Sequence, residues 1–295
     1  MIWSPDAGQP PAPDTGGRRG RKPAPIAASA GPSHRAWLEP VRSFLFASGL
    51  TLDDLVSRSG YSKTRISELL RGNGYYPAWE ITFSVIHALG LPAQPMRRLW
   101  SAAAHEAQKQ PGWIKQCIQQ VAVQPEPAPV AHQAFTEAMS DVYTAYARVF
   151  LLTDQRAHWV VTEAFDILWL CWSHAAVSEN LSRYAWRLLR ARVMARAHRD
   201  GDGHPDLRAA VFSTAEVHDG VPGHFVALSE LVDLFAAIGH LPDDQMDVTV
   251  LRHLYGVDLK EIADAVGLSE AITHAVDHHA RAALERLLDA PSPRE

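Results

Sequence analysis

The chain has 295 residues, 47% of them hydrophobic, and carries 28 Lys and Arg against 33 Asp and Glu for a net charge of −5. That length and apolar content support two or three domains with real cores. Two cysteines, Cys117 and Cys171, exclude a disulfide framework, and with no signal-type leader or apolar run of membrane-span length the expected location is the cytoplasm, with no membrane partner.

Residues 1–33 are rich in Pro, Gly and Ala without apolar periodicity, and a disordered tail is expected there. Its Arg18, Arg19, Arg21 and Lys22 are either a loose phosphate contact or simply solvated. A first folded unit is expected over 34–110. Trp37, Val41, Phe44 and Leu45 mark a first helix, and Leu52, Leu55 and Val56 a second. Ser59-Gly60-Tyr61 breaks the second helix at a residue that tolerates positive φ. Ser62 then stands where an N-cap belongs, and Ile66, Leu69 and Leu70 repeat the helical spacing of a buried face. Lys63, Thr64, Arg65 and Ser67 are left on the outer face, the cations and hydroxyls that a groove-docking helix presents to phosphates and base edges. Ile81, Val85, Ile86 and Leu89, closed by Gly90, mark a fourth helix, and Met96, Leu99 and Trp100 a fifth.

Residues 111–133, with Pro-Glu-Pro-Ala-Pro at 125–129, read as a linker holding a short amphipathic piece around Trp113, Ile114, Cys117 and Ile118. A second helical unit is expected over 134–200. Tyr143, Tyr146, Ala147 and Phe150 form one apolar stripe, and Trp159, Phe165, Leu168, Trp169 and Trp172 another. Around the buried face of Trp186, Leu189 and Val193, two arginine stripes run: Arg183, Arg187, Arg190 and Arg192, Arg196, Arg199. Such stripes either track a nucleic-acid backbone or are a solvated charged face. Residues 201–223 read as a second linker, 224–289 as a third unit and 290–295 as a tail. In the third unit Val248, Leu251 and Leu254 mark one helix, Leu259, Ile262, Ala263 and Val266 the next. Gly267-Leu268-Ser269 makes a turn with an N-cap, and Ile272, Val276, Ala280 and Leu284 are the expected buried face of the last helix.

Charge is uneven along the chain. Residues 34–110 hold nine Lys and Arg against six Asp and Glu, a net of +3. Residues 134–200 balance eight against seven, and 224–295 five against thirteen, a net of −8. Phosphate contacts dominate non-specific affinity, so the first unit is favoured as a DNA anchor.

The first unit resembles the phage-repressor (Xre-type) DNA-binding family, a small five-helix domain. The matching residues are Gly60-Tyr61-Ser62 followed by Ile66-Ser67, Gly72 closing the reading helix, and Ile86-His87-Ala88-Leu89-Gly90-Leu91. The resemblance implies DNA contact at Ser62, Lys63, Thr64, Ser67 and Arg71; Leu70 stands where the family often has a glutamate. The second and third units resemble sigma factors of the extracytoplasmic-function type. For the fourth region the match is Leu241-Pro242 with Gln245, Glu261-Ile262-Ala263, Gly267-Leu268-Ser269-Glu270 and His279-Ala280-Arg281 with Ala283-Leu284. For the second region it is Ala157 through Val161 with Glu163, Phe165 and Trp169. The second region of that family binds core RNA polymerase and the −10 element, and the fourth reads the −35 element. Here Trp159 replaces an acidic residue usual in the family, and the last helix reads Thr273-His274-Ala275-Val276-Asp277-His278-His279 where members carry Lys and Arg. Neutral histidine and an aspartate are poor phosphate partners.

The expected fold is therefore all-α: an Xre-type helix-turn-helix domain, a second-region-like bundle and a fourth-region-like helix-turn-helix. The expected function is that of a DNA-binding bacterial transcription regulator whose sigma-like half works mainly through protein contacts. Two other readings stay open: a working sigma factor directing core RNA polymerase to promoters, and an interaction protein held by an anti-sigma-like partner. Expected partners are double-stranded DNA, core polymerase or such an anti-sigma-like protein, and a second copy of the chain on a two-fold operator. DNA contact is assigned to Ser62, Lys63, Thr64, Arg65, Ser67 and Arg71, and a secondary nucleic-acid contact to Arg183, Arg187, Arg190, Ser269, Thr273 and His274. No catalytic residue, cofactor or metal is expected. The chain has no phosphate-binding glycine loop, nucleophile elbow or Cys-x-x-Cys. His274, His278 and His279 lack a third ligand, and Asp200-Gly201-Asp202-Gly203 opens like a calcium loop but has Val211 at position twelve.

Overall fold

The computed structural model describes residues 24–211 and 224–289, with only the backbone over 224–229. The expected basic tail residues Arg18, Arg19, Arg21 and Lys22 lie outside the described residues, as do most of 201–223 and the 290–295 tail. Among the described residues the chain is helical throughout, and β pairing is confined to one isolated bridge between Arg199 and Pro205.

Local chemistry sets the helix ends in the first unit. Helix α1 (Pro32–Ser48) starts on a proline, whose fixed φ suits a first turn, and stops at Gly49 with φ 67°. Helix α2 (Leu52–Ser59) carries a capping box: the Thr51 hydroxyl accepts from the Asp54 amide, and the Asp54 carboxylate accepts from the Thr51 amide. Gly60, φ 75°, ends it. Helix α3 (Lys63–Arg71) is capped by Ser62 and closed by Gly72 at φ 61°. Helices α4 (Trp79–Ala88) and α5 (Ala93–Glu106) complete the five expected. Their apolar faces meet in one core of Trp37, Leu55, Ile66, Trp79, Val85, Met96 and Trp100. Glu106, at the end of α5, accepts from the Ser33 and His34 amides and so caps the start of α1 across 72 residues of chain.

The expected first linker departs from a loop. Residues 111–119 form α6 (Pro111–Gln119), and Ile114 and Cys117 are buried in the first core. A short amphipathic segment beside an apolar surface gains more by docking than by staying solvated. Helix α7 (Val130–Leu151) begins directly after the Pro-rich stretch. Then come α8 (Asp154–Leu170), the one-turn α9 (Trp172–Ala175) and α10 (Leu181–Met194). The start of the second expected linker also packs, with Leu207, Ala210 and Val211 buried.

The last part comprises α11 (His224–Gly239), α12 (Asp243–Thr249) running into a π turn at Val250–Leu254, α13 (Leu259–Val266) and α14 (Glu270–Asp289). A single core joins it to α7, α8 and α10: Tyr146, Phe150, Trp186, Leu189, Phe235, Val248, Leu251, Ile262 and Ala280 all belong to it. Helix α8 serves both cores, sending Val160, Ala164 and Leu168 into this one and Ile167 and Leu170 into the first. The buried face of α14 differs from the expected one. Thr273, Asp277, Ala280 and Leu284 point inward, while Ile272 is 52% exposed. Asp277 tolerates burial because His253 lies 2.8 Å from its carboxylate and Arg281 is 3.6 Å away, partners that apolar periodicity does not register.

Candidate nucleic-acid interface

Helix α3 is seated by Ile66, Leu69 and Leu70, each buried and each stabilising by about 1.5–3 kcal/mol. With that stripe fixed inward, Ser62, Lys63, Thr64, Arg65 and Arg71 are all exposed, and Ser67 is half-buried. The Ser62 hydroxyl accepts from the Arg65 amide at 3.4 Å, which leaves its own O–H free to donate outward. Gly72 does more than terminate α3. A Cβ there would meet Leu38 Cδ2 at 2.9 Å, so the backbone passes close over α1. Arg42 adds a guanidinium to the Leu70 carbonyl at 2.7 Å, and α3 is thereby gripped at its C-terminal end by α1.

Five of the six residues assigned to DNA contact thus lie on α3 and Ser62 is its N-cap, but they differ in state. Lys63 Nζ donates to Asp53 at 2.8 and 3.1 Å. Both partners are exposed, and such a pair is worth about 0–1 kcal/mol, so little free energy holds Lys63 to Asp53. The Arg71 side chain is exposed while its carbonyl accepts from the Ala27 amide at 2.8 Å. Arg65 borders a cavity of about 380 Å³, together with His34, Tyr61, Tyr75, Tyr76 and Trp113. Tyr75, 95% exposed, stands at the mouth of this cavity; no periodicity in the sequence marks it. Burial, and then Glu80, raise the Tyr61 phenol above its ordinary pKa, which keeps it neutral and able to donate.

The second set of assigned residues does not form one surface. Arg183 donates to Asp244 at 2.8 Å. Arg190 donates to Asp243 at 2.8 Å and to Asp247 at 3.0 Å. Asp247, fully buried, also accepts from the Tyr146 hydroxyl at 2.7 Å and the Trp186 indole at 2.8 Å. Burial pushes its carboxyl up, and Arg190 with the two neutral donors opposes that push. Arg187 is exposed. Ser269 is exposed and caps α14 by accepting from the Ile272 amide at 3.3 Å, His274 is exposed, and Thr273 is fully buried with its hydroxyl on the Ser269 carbonyl. The turn that precedes α14 is itself covered. Asn180 Nδ2 donates to the Gly267 carbonyl at 3.1 Å, and a Cβ on Gly267 would lie 2.2 Å from the Arg183 amide nitrogen.

No family model matches this chain, and no curated protein matches it either.

Of the other arginine set, Arg192 on α10 and Arg196 just beyond its end are turned inward, while Arg199 is exposed. Arg192 and Arg196 donate to opposite oxygens of Glu163, at 2.9 and 2.8 Å. Arg192 also donates to the Pro32 carbonyl, and Arg196 to the Ser33 hydroxyl at 3.0 Å, its guanidinium 5.0 Å from the Trp159 ring. On α5, Arg98 clamps Asp166 of α8 with Nε bonds of 2.9 and 3.0 Å. These pairs join the first unit to α8 and α10. Sequence spacing finds the arginines, but the carboxylates that claim them lie tens of residues away. Among the described residues no group of three or more His, Cys, Asp or Glu is placed to hold a metal, and no helix is long and apolar enough to cross a membrane.

Proposed function

We propose that the chain is a bacterial DNA-binding transcription regulator whose α3 enters the major groove. Lys63, Thr64 and Ser67 face base edges, and Arg65 and Arg71 grip phosphates. The observation that carries this reading is the outer face of α3: three exposed cations, the exposed Thr64 hydroxyl, the half-buried Ser67 and a capped N-terminus, on a helix seated by its apolar stripe and gripped at its C-terminal end. The resemblance of the first unit to Xre-type domains and its local excess of positive charge point the same way.

In this reading the sigma-like half serves protein contacts. Its support is the way that half is engaged with itself: Arg183 and Arg190 are paired with Asp243, Asp244 and Asp247, and the turn at Gly267 is seated on the start of α10. A guanidinium already bound to carboxylates must give up those bonds to reach a phosphate.

Fluorescence anisotropy with a random-sequence 30-base-pair duplex, titrated at several salt concentrations, tests the DNA reading. The double variant Arg65→Ala, Arg71→Ala removes the two cations assigned to phosphates, so the slope of log affinity against log salt becomes shallower by about 1.8, at about 0.9 per contact. Unchanged affinity and slope would reject the role assigned to α3. Co-migration of the protein with core RNA polymerase on a sizing column would favour a working sigma factor over the scaffold reading.

A further inference from the structure

The cavity of about 380 Å³ beside α3 follows from spacing along the chain as well as from packing. Tyr61, Arg65, Leu69 and Gly72 border it at i, i+4, i+8 and i+11, so α3 and its two flanking residues form one continuous wall. The loop that leaves α3 supplies Tyr75 and Tyr76, the first turn of α4 supplies Glu80, and α6 supplies Trp113. Small-molecule sites span about 300–1,000 Å³, and this cavity lies within that range.

Three of its four aromatic side chains are held in place. The Tyr76 hydroxyl accepts from the Trp37 indole at 3.2 Å and donates to the Trp100 carbonyl at 2.6 Å. The Trp113 ring packs 5.7 Å from that of Trp100, and the Tyr61 hydroxyl is hydrogen-bonded to Glu80. Tyr75, 95% exposed, gains by closing over an occupant of the cavity.

The charged side chains around this space are Glu68 and Glu80 against Arg65, a net of −1. Aromatic faces also attract cations, and Lys109 Nζ already lies 5.7 Å from the Trp113 ring without bordering the cavity. His34 completes the lining. Its Nε2 is buried without a hydrogen-bond partner among the described residues. Its Cε1 is 3.4 Å from where a Cβ on Gly72 would stand, so that edge of the ring faces the Gly72 end of the cavity. Burial lowers the imidazole pKa to about 4, and a neutral ring offers a lone pair without repelling a cation. An anion would meet two carboxylates and four ring faces for one guanidinium.

We propose that this cavity binds a small organic cation, a primary ammonium carried on an aromatic body. The ammonium has three N–H donors, which suit the Glu68 and Glu80 carboxylates and the His34 Nε2. The aromatic body lies among Tyr61, Tyr75 and Trp113. The site shares a wall with α3, but its assignment does not rest on DNA binding by that helix.

The test is isothermal titration calorimetry of the full chain at neutral pH with phenethylamine. Phenethyl alcohol and hydrocinnamate serve as its neutral and anionic counterparts, and no DNA is present, so the outcome is separate from that of the duplex titration. The amine should give a saturable one-to-one isotherm, and the alcohol and the carboxylate should bind at least about tenfold more weakly. Tyr75→Ala should weaken amine binding by about threefold to tenfold, and Glu80→Gln by about tenfold. Both side chains are exposed, so circular dichroism of the two variants should match the parent. No saturable heat below about 10 mM amine would overturn the proposal. So would equal or tighter binding of the alcohol or the carboxylate, or unchanged amine affinity in both variants.

Discussion

His34 sits at the edge of the first core, its ring stacked 5.1 Å from that of Trp37 and edge-on to Tyr76, with its Nε2 buried and without a hydrogen-bond partner among the described residues. Burial, reinforced by the charge of Arg35, lowers its pKa to about 4. The unfolded imidazole takes up a proton near 6.5, so the unfolded state binds more protons between 4 and 6.5 and the fold loses stability as pH falls through that window. Asp166 acts in the opposite sense. Burial raises its pKa to about 6, so its contribution is full below 3.8 and is lost as pH rises through 6. A His34→Phe variant keeps the ring stack and removes both the unpartnered nitrogen and the titration. Its melting temperature should exceed the parent's by more at pH 5 than at pH 8 in thermal circular dichroism; parallel pH profiles would show that His34 is not responsible. Gly72 is the other telling residue. Alanine there would hold φ at 61° and meet Leu38, so Gly72→Ala should destabilise by about 1–3 kcal/mol in urea unfolding and loosen the end of α3. Sequence reasoning recognised Gly72 as a helix stop, because that depends on local backbone conformation. Its close approach to α1 is a tertiary fact and left no mark in the local pattern.

Helices α8 and α10 are held by carboxylates that each take two or more donors. Glu163, with 2% of its side chain exposed, receives Arg192 and Arg196. Removing that carboxylate leaves two guanidinium groups, each at least nine-tenths buried, without their anion. Breaking one side of such a buried set costs about 3–5 kcal/mol, and Glu163→Ala should lower the urea midpoint accordingly. Loss of protection should concentrate where Arg192 and Arg196 meet Pro32 and Ser33, at the start of α1, read by hydrogen exchange. An Asp247→Ala variant should cost a similar amount, because Arg190, Tyr146 and Trp186 all lose their acceptor. The two sets of arginines on and just beyond α10 were readable as i, i+4, i+7 spacing, and their meaning was not. A stripe that tracks phosphate and a stripe that binds interior acids have the same periodicity; only the position of Glu163, Asp243, Asp244 and Asp247 in space distinguishes them.

Among the described residues there are two cores, and helix α8 sends buried side chains into both. The residues expected to form separate second and third units share a single core, and the first unit is joined to them through the Arg98–Asp166 pair and the bonds of Arg192 and Arg196 to Pro32 and Ser33. Thermal unfolding followed by tryptophan fluorescence and by far-ultraviolet circular dichroism should therefore give one coincident transition. Two separated transitions would mean that α8 does not couple the cores. What the sequence determined by itself is the helical class, the Ser62 cap and the Gly60 and Gly72 stops around α3, and the outward set on α3, since these follow from periods of 3.6 residues and from chemistry within a few positions of chain. Tertiary structure alone decided that Arg183, Arg190, Arg192 and Arg196 pair with acids of the same chain, that α14 buries Thr273 and Asp277 in place of Ile272, and that the segment before α1 is tied to the end of α3. Each of those depends on a charge or a carbonyl supplied from a distant part of the chain, and a linear pattern records that such a group exists without recording what it meets.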